Sequence, residues 1–247
     1  GGGSSSTGNT GGGNTGSTGG NTGSGTRDIT IDANLPGLRV DTVAGDDVVN
    51  IIEHGQALVV TGSSSGLAEG TPLTVPINDV EYTTAVQADG SWSVGITAAQ
   101  VSAWPAGAVN IAVSGESSAG NPISITHPVT VDLTPAAITI NTIATDDVIN
   151  AAEKGANLTL SGTTTNVEAG QTVTVTFGGK NYTASVAGDG SWTATVPAAD
   201  LAALPEGSAS AQASVSNVNG NSATTTHAYS VDASAPTVTI NTIAGDD

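Results

Sequence analysis

The chain contains no cysteine and no methionine, and only four Lys and Arg residues against 22 Asp and Glu. Without cysteine there is no disulfide framework, no thiolate metal site and no cysteine nucleophile. A formal charge of −18 disfavours nucleic acid, because phosphate binding rests on clustered Lys and Arg, and no nucleic-acid partner is expected. The same shortage disfavours an anionic membrane surface. No apolar run approaches the roughly 20 residues of a membrane-spanning helix, and direct membrane insertion is not expected. No basic-then-apolar start reads as a secretion signal. Aromatic residues are 3% of the 247-residue chain, which predicts small cores of Val, Ile, Leu and Ala.

What is present is a repeat, and repeats decide the architecture before any local reading does. Leu38–Asn50 answers to Ile138–Asn150 at an offset of 100 residues. The offset persists at Gly62/Gly162, Tyr82/Tyr182, Trp92/Trp192, Gly120-Asn121/Gly220-Asn221, His127/His227 and Asp132/Asp232. A further copy opens at Val238, and the end of another is legible at Ile29-Thr30-Ile31-Asp32. The expected organisation is a Gly/Ser/Thr/Asn-rich flexible linker over 1–26, the end of a preceding repeat or a lead-in strand over 27–36, repeats over 37–135 and 136–235, and the start of a third over 236–247. The linker has too little apolar surface to offset chain entropy. Two whole units flanked by partial ones predict a piece of a longer protein.

Each unit reads as β. Val173, Val175 and Phe177 alternate with threonines, the pattern of a half-buried strand. Tyr182, Ala184 and Val186 repeat it, Gly188-Asp189-Gly190 follows, and Trp192, Ala194 and Val196 return; Asp-Gly between alternating runs predicts a hairpin. Ile123 to Val131 forms a last strand. Ala198–Leu204 predicts one or two helical turns, stopped by Pro205 and crossing between sheets. About seven short strands per 100 residues indicate an all-β chain of tandem immunoglobulin-like β-sandwich domains. Trp92 and Trp192 are the expected core anchors.

Carboxylates carry the chemical signal. Asp46-Asp47 and Asp146-Asp147 follow the first strand of each unit, with Glu53 and Glu153 next, and Asp132 and Asp232 close the last strand. Sandwich topology predicts that Asp46, Asp47 and Asp132 converge where the first unit meets the second. There they would face the turn with Asp189, the loop with Glu168, and Asn217, Asn219 and Asn221. Such a cluster repels itself unless a cation intervenes, and Ca²⁺ takes six to eight oxygen ligands in flexible geometry. The candidate ligands are Asp46, Asp47, Asp132, Asp146, Asp147 and Asp232, with Glu53, Glu153, Asp32 and Asp189 secondary. The competing reading is that these are turn residues bonding their own backbone. His127 and His227 share the inward parity of Val129 and Tyr229 and read as satisfied core or boundary histidines. Trp104, which answers to Leu204, reads as core filling or, less simply, as a sugar-stacking contact. No nucleophile elbow or phosphate loop occurs. Carboxylates recurring in every copy suit a structural linkage better than a catalytic pair, so no enzyme is expected.

Asp146–Glu153, Tyr182–Trp192, Val196–Leu204 and the closing Val231-Asp232 together resemble the tandem bacterial Ig-like repeats of giant biofilm-associated adhesins. They are similar to the BapA type exported by type I secretion. The resemblance covers residues 27–247. It implies a Cys-free, acidic, extracellular stalk at the bacterial cell surface, with Ca²⁺ at domain junctions, serving cell adhesion and biofilm formation. The implied partners are neighbouring repeats of the same chain and, through other regions, host or matrix surfaces. The alternatives are a glycan-binding Ig-like module and a passive spacer of an extracellular enzyme.

Overall fold

The computed structural model describes residues 36–241. They belong to one compact unit, Asn34–Asp247. Within it each repeat builds its own sandwich around its own core.

In the first repeat the strands are β1 (Gly37–Val40), β2 (Val48–Val49), β3 (Leu58–Ser65), β4 (Pro72–Ile77), β5 (Val80–Ala85), β6 (Ser91–Ile96), β7 (Gly107–Glu116) and β8 (Pro122–Val131). One layer has the order β1-β3-β6 and the other β2-β8-β7-β4-β5. The second repeat copies this with β9 (Ala137–Ile138), β10 (Val148–Asn150), β11 (Leu158–Thr165), β12 (Thr172–Phe177), β13 (Lys180–Ser185), β14 (Ser191–Val196), β15 (Gly207–Ser216) and β16 (Ser222–Asp232). Its layers are β9-β11-β14 and β10-β16-β15-β12-β13. Both repeats are immunoglobulin-like β-sandwiches, as the alternation pattern predicts.

The first strand of each unit is divided between the layers. β1 pairs antiparallel with β3, whereas β2 pairs parallel with β8 at Val48↔Thr130. β9 and β10 do the same against β11 and β16. Residues 41–47 therefore carry the chain from one sheet to the other. The helical crossover is also present, at α1 (Ala98–Val101) and α2 (Ala198–Ala202). It leaves the three-stranded sheet at β6 or β14 and enters the five-stranded one at β7 or β15.

One expectation fails. Asp189-Gly190 does make a tight turn, with the Gly190 N–H donating to Ala187 O. It does not make a hairpin, because β13 and β14 belong to different sheets. Trp192 draws β14 onto β11, where it stands opposite Gly162. A Cβ on Gly162 would lie 2.7 Å from Trp192 Nε1 and 1.9 Å from Thr139 O, so only glycine leaves room for the indole. The true hairpin joins β12 to β13 through Gly178-Gly179, and β4 to β5 through Asn78-Asp79, with positive φ at all four positions. That is the backbone a two-residue hairpin turn of matching twist requires.

Trp92 and Trp192 are each 1% exposed and sit in separate cores of mostly aliphatic side chains. Trp104 is buried as well, packed with the first core. The cores differ in how they treat their polar tips. Trp192 Nε1 donates to Thr139 O at 3.1 Å, and the Tyr182 hydroxyl donates to Asp200 Oδ2 at 2.7 Å. In the first repeat the buried Tyr82 hydroxyl and Trp92 Nε1 have no partner among the described residues; for the hydroxyl the reason is that Gln100 stands where the second repeat has Asp200. Burial, with the neighbouring Asp200 carboxylate, pushes the Tyr182 phenol up to about 12. Removing one hydroxyl should thus have opposite consequences in the two repeats. Tyr182→Phe is expected to cost about 1–2 kcal/mol by orphaning a paired group, while Tyr82→Phe is neutral or stabilising. Thermal denaturation of the two variants checks this.

Candidate functional site

The Asp-Asp pair lies in the sheet-switching segment. Ala44, Gly45 and Asp47 all have positive φ, so the chain reverses tightly there. The Asp47 carboxylate holds the reversal closed: Oδ1 accepts the Val43 N–H at 2.8 Å and lies 2.7 Å from His127 Nε2 on β8. Asp46 Oδ1 accepts the Val48 N–H at 3.0 Å. The second repeat is superimposable in its bonding. Asp147 Oδ1 is 2.7 Å from both Ile143 N and His227 Nε2, and Asp146 Oδ1 is 3.0 Å from Val148 N. Burial pulls the Asp47 carboxyl upward, but the bonds from His127 and Val43 outweigh it and leave it below the ordinary value. Asp147 is lowered mainly by the Ile143 N–H, then by His227.

The chain reaches the end of the sandwich only after β2. Asn50 Oδ1 there accepts from the Ile52 and Glu53 amides, both at 3.0 Å, and Glu53 Oε2 accepts the Asn50 N–H at 3.0 Å. Asn150 and Glu153 make the same reciprocal cap. Asp132 arrives beside it through its N–H to Val49 O at 3.0 Å. Asp46 and Asp47 do not share the contact that Asp132 makes. The Asp47 carbonyl accepts the Thr130 N–H while its carboxylate reaches back to His127, so its backbone pairs two residues before Asp132, about 7 Å of extended chain. Asp46 and Asp47 therefore sit at the sheet switch and Asp132 at the pole. Among the described residues no three His, Asp or Glu side chains form a metal-holding group.

The predicted meeting of the repeats does occur, with amides rather than several carboxylates. The turn between β15 and β16 reaches the pole of the first repeat. Asn219 Nδ2 donates to Asp132 Oδ2 at 2.6 Å. Asn221 Nδ2 donates to the carbonyls of Asp132 at 2.9 Å and Thr134 at 3.1 Å, while its Oδ1 accepts the Ile51 N–H at 2.8 Å. Asn221 is 1% exposed. Asn217 shapes the turn from within, its Oδ1 accepting the Asn219 and Asn221 amides, and Glu168 Oε2 accepts the Val218 N–H. The bond from Asn219, and then the Thr134 N–H, hold the Asp132 carboxyl below its ordinary value.

The secondary candidates are placed apart. Asp189 accepts the Ser191 N–H and hydroxyl inside its own turn. Asp232 accepts from the Ser234 hydroxyl and N–H. Asp32 lies outside the described residues. The sequence pattern does not single out the pairing of His127 and His227 with Asp47 and Asp147, although both partners recur at the same offset.

A solved structure described as a Ca²⁺-stabilized adhesin that helps an Antarctic bacterium reach out and bind ice is 34% identical, with a TM-score of 0.54 over 81% of this chain and 50% of its own. A second, concerned with host cell surface retention of a 1.5-MDa bacterial ice-binding adhesin, is 34% identical, with a TM-score of 0.51 over 81% of this chain and 65% of its own. The repeats are similar to bacterial adhesin domains. The chain thus spans half to about two thirds of these two structures. A bacterial immunoglobulin-like domain from the M. primoryensis ice-binding adhesin is 37% identical over 40% of this chain and 99% of its own, with a TM-score of 0.33. No family model and no curated protein matches. In these adhesin-like repeats the aspartates act first as backbone acceptors.

That role has a pH signature. Carboxyls lowered on folding, as at Asp47, Asp132 and Asp147, stabilise fully above the unfolded value of about 4 and lose that contribution as pH falls through the folded values. The melting temperature should be level from pH 7 to 5 and drop below about pH 4. A melt series across that range checks it.

Proposed function

We propose that the chain is a non-enzymatic stalk module of a large bacterial surface adhesin, spacing an adhesive region from the cell and stiffened by Ca²⁺ at its repeat junctions. The observation that carries this reading is the docking of the second repeat's asparagine turn on the pole of the first, with Asn221 buried between them. Repeats that clasp their neighbours transmit orientation along a chain. The 34% identity to a Ca²⁺-stabilized adhesin and the helices' lack of any membrane-spanning length among the described residues support it. Extracellular display, support of biofilm formation and export by type I secretion belong to the same reading. A chain without disulfides suits passage unfolded through a channel, and binding a millimolar cation outside would favour its folded state by mass action.

The junction holds oxygens of the kind Ca²⁺ takes, the Asp132 carboxylate and the Asp132 and Thr134 carbonyls; each already accepts from an asparagine amide, so an ion there would add to the clasp through their remaining lone pairs. Asp132, and by equivalence Asp232, is the carboxylate this reading gives the ion. Among the described residues Asp132 is the candidate carboxylate that bonds the neighbouring repeat, whereas Asp46, Asp47, Asp146 and Asp147 bond within their own. The buried Trp104 offers no shelf for a sugar ring.

Small-angle scattering in calcium and in chelator tests the proposal. The maximum dimension should be larger and better defined with calcium, and Asp132→Asn should remove most of the difference. A tenfold excess of calcium over its dissociation constant should add about 1.4 kcal/mol of stability. Scattering and melting curves indifferent to calcium would reject the metal part of the reading.

A further inference from the structure

The clasp between the repeats has two halves, and among the described residues each half occurs twice, once engaged and once not. The turn of the second repeat is engaged. Its internal bonds run from Asn217 N to Asn221 O at 2.9 Å and from Gly220 N to Asn217 O at 3.1 Å. The first repeat's turn has the same bonds, Ser117 N to Asn121 O and Gly120 N to Ser117 O, both at 2.9 Å. Yet Asn121 is exposed where Asn221 is buried. The turn therefore takes its shape without docking.

The receiving pole behaves alike. In the first repeat Asp132 Oδ1 accepts the Thr134 N–H at 2.9 Å, and in the second Asp232 Oδ1 accepts the Ser234 N–H at 3.1 Å. The Asn50/Glu53 cap is matched by Asn150/Glu153. Asn50 and Asp132 are half-buried, whereas Asn150 and Asp232 are exposed. The fit is close: a Cβ on Gly220 would come 2.8 Å from Asn50 Nδ2. Two surfaces that keep their shape when apart lose little entropy on meeting.

We propose that the pole of the second repeat is a docking site for the asparagine turn of a following repeat, and that this clasp forms without a metal ion. The Ala151 N–H takes the place of the Ile51 N–H toward the incoming asparagine oxygen. The Asp232 and Ser234 carbonyls take its amide protons, as Asp132 and Thr134 do. The Asp232 carboxylate takes a second asparagine two residues earlier in the turn. The occupant is a repeat of this same kind, because the chain resumes the repeat at Val238-Thr239-Ile240-Asn241 and a covalent tether makes docking intramolecular. The site is directional: a turn meets a pole, never a like surface, so the contact propagates instead of closing on itself. The first repeat carries Ala119 where the second has Asn219, so its turn keeps the buried-amide half of the clasp and lacks the carboxylate half. The proposal stands without calcium and does not rest on the adhesin reading.

Amide hydrogen exchange in chelator tests it. In the present chain the Ile51 amide should exchange at least about tenfold more slowly than the Ala151 amide, and Asn221→Ala should erase that difference while core amides around Trp192 stay protected. Appending residues 148–235 after Asp247 completes a third repeat. The Ala151 amide should then become protected to the level of Ile51, and Asn221→Ala in the appended copy should abolish that protection alone. Should the variant repeat fail to fold, the appended copy's Asn219→Ala, which removes only the carboxylate contact, should instead weaken the protection of Ala151. An Ala151 amide that exchanges equally fast with and without the third repeat would overturn the docking site. Protection that appears only when calcium is restored would overturn the metal-free clasp.

Discussion

An amide side chain taken out of water costs several kcal/mol unless every polar atom finds a partner. Asn221 is buried between two repeats, and the partners of its side chain are all backbone groups of the neighbour. Such a group tolerates only the one relative position in which both ends are satisfied. Apolar packing at the junction would have allowed sliding; a buried amide does not. The orientation of one sandwich on the next therefore rests on hydrogen-bond geometry, with Asn217 fixing the turn that delivers it.

The acidic residues belong to the same economy. A chain with few aromatics and small cores cannot rely on packing alone to hold irregular segments. Asp47 and Asp147 close the sheet switch and fasten it to the last strand through a histidine. Asp46, Asp146, Asp189 and Asp232 each accept the amide two residues ahead. Charge that looks excessive in composition is thus distributed over backbone amides that would otherwise lack acceptors. Lys180 and Asp200 form an exposed ion pair in the second repeat, and such pairs add little by themselves. The pair matters because the Asp200 carboxylate also receives the Tyr182 hydroxyl.

Comparing the repeats separates what the fold demands from what each copy happens to have. Gly62 and Gly162, the indole that each admits, the Asp–His bond and the asparagine cap are common to both. The hydroxyl partner of the core tyrosine is not. Apart from the glycine–indole packing, which lies inside the strand ladder, the common set bends or terminates strands, where the backbone has no ladder to satisfy it.

Alternation of Val, Ile and Thr with polar residues, and an offset of 100 residues, were sufficient for the β-sandwich and the core tryptophans. Period-two burial is a local property, legible wherever a strand is. The asparagines and Asp132 could likewise be assigned to facing poles, because strand direction follows from strand order. Two things were not local. Asp189-Gly190 turns the chain regardless of which sheet receives it, and only the fit of Trp192 against Gly162 chose the other sheet. Asp46-Asp47 follows the first strand in sequence, but whether that strand stops or changes sheets there depends on β8 supplying both a parallel partner and His127. Contacts 80 residues apart are set by closure of the whole sandwich, and no window of sequence contains the competition that decides them.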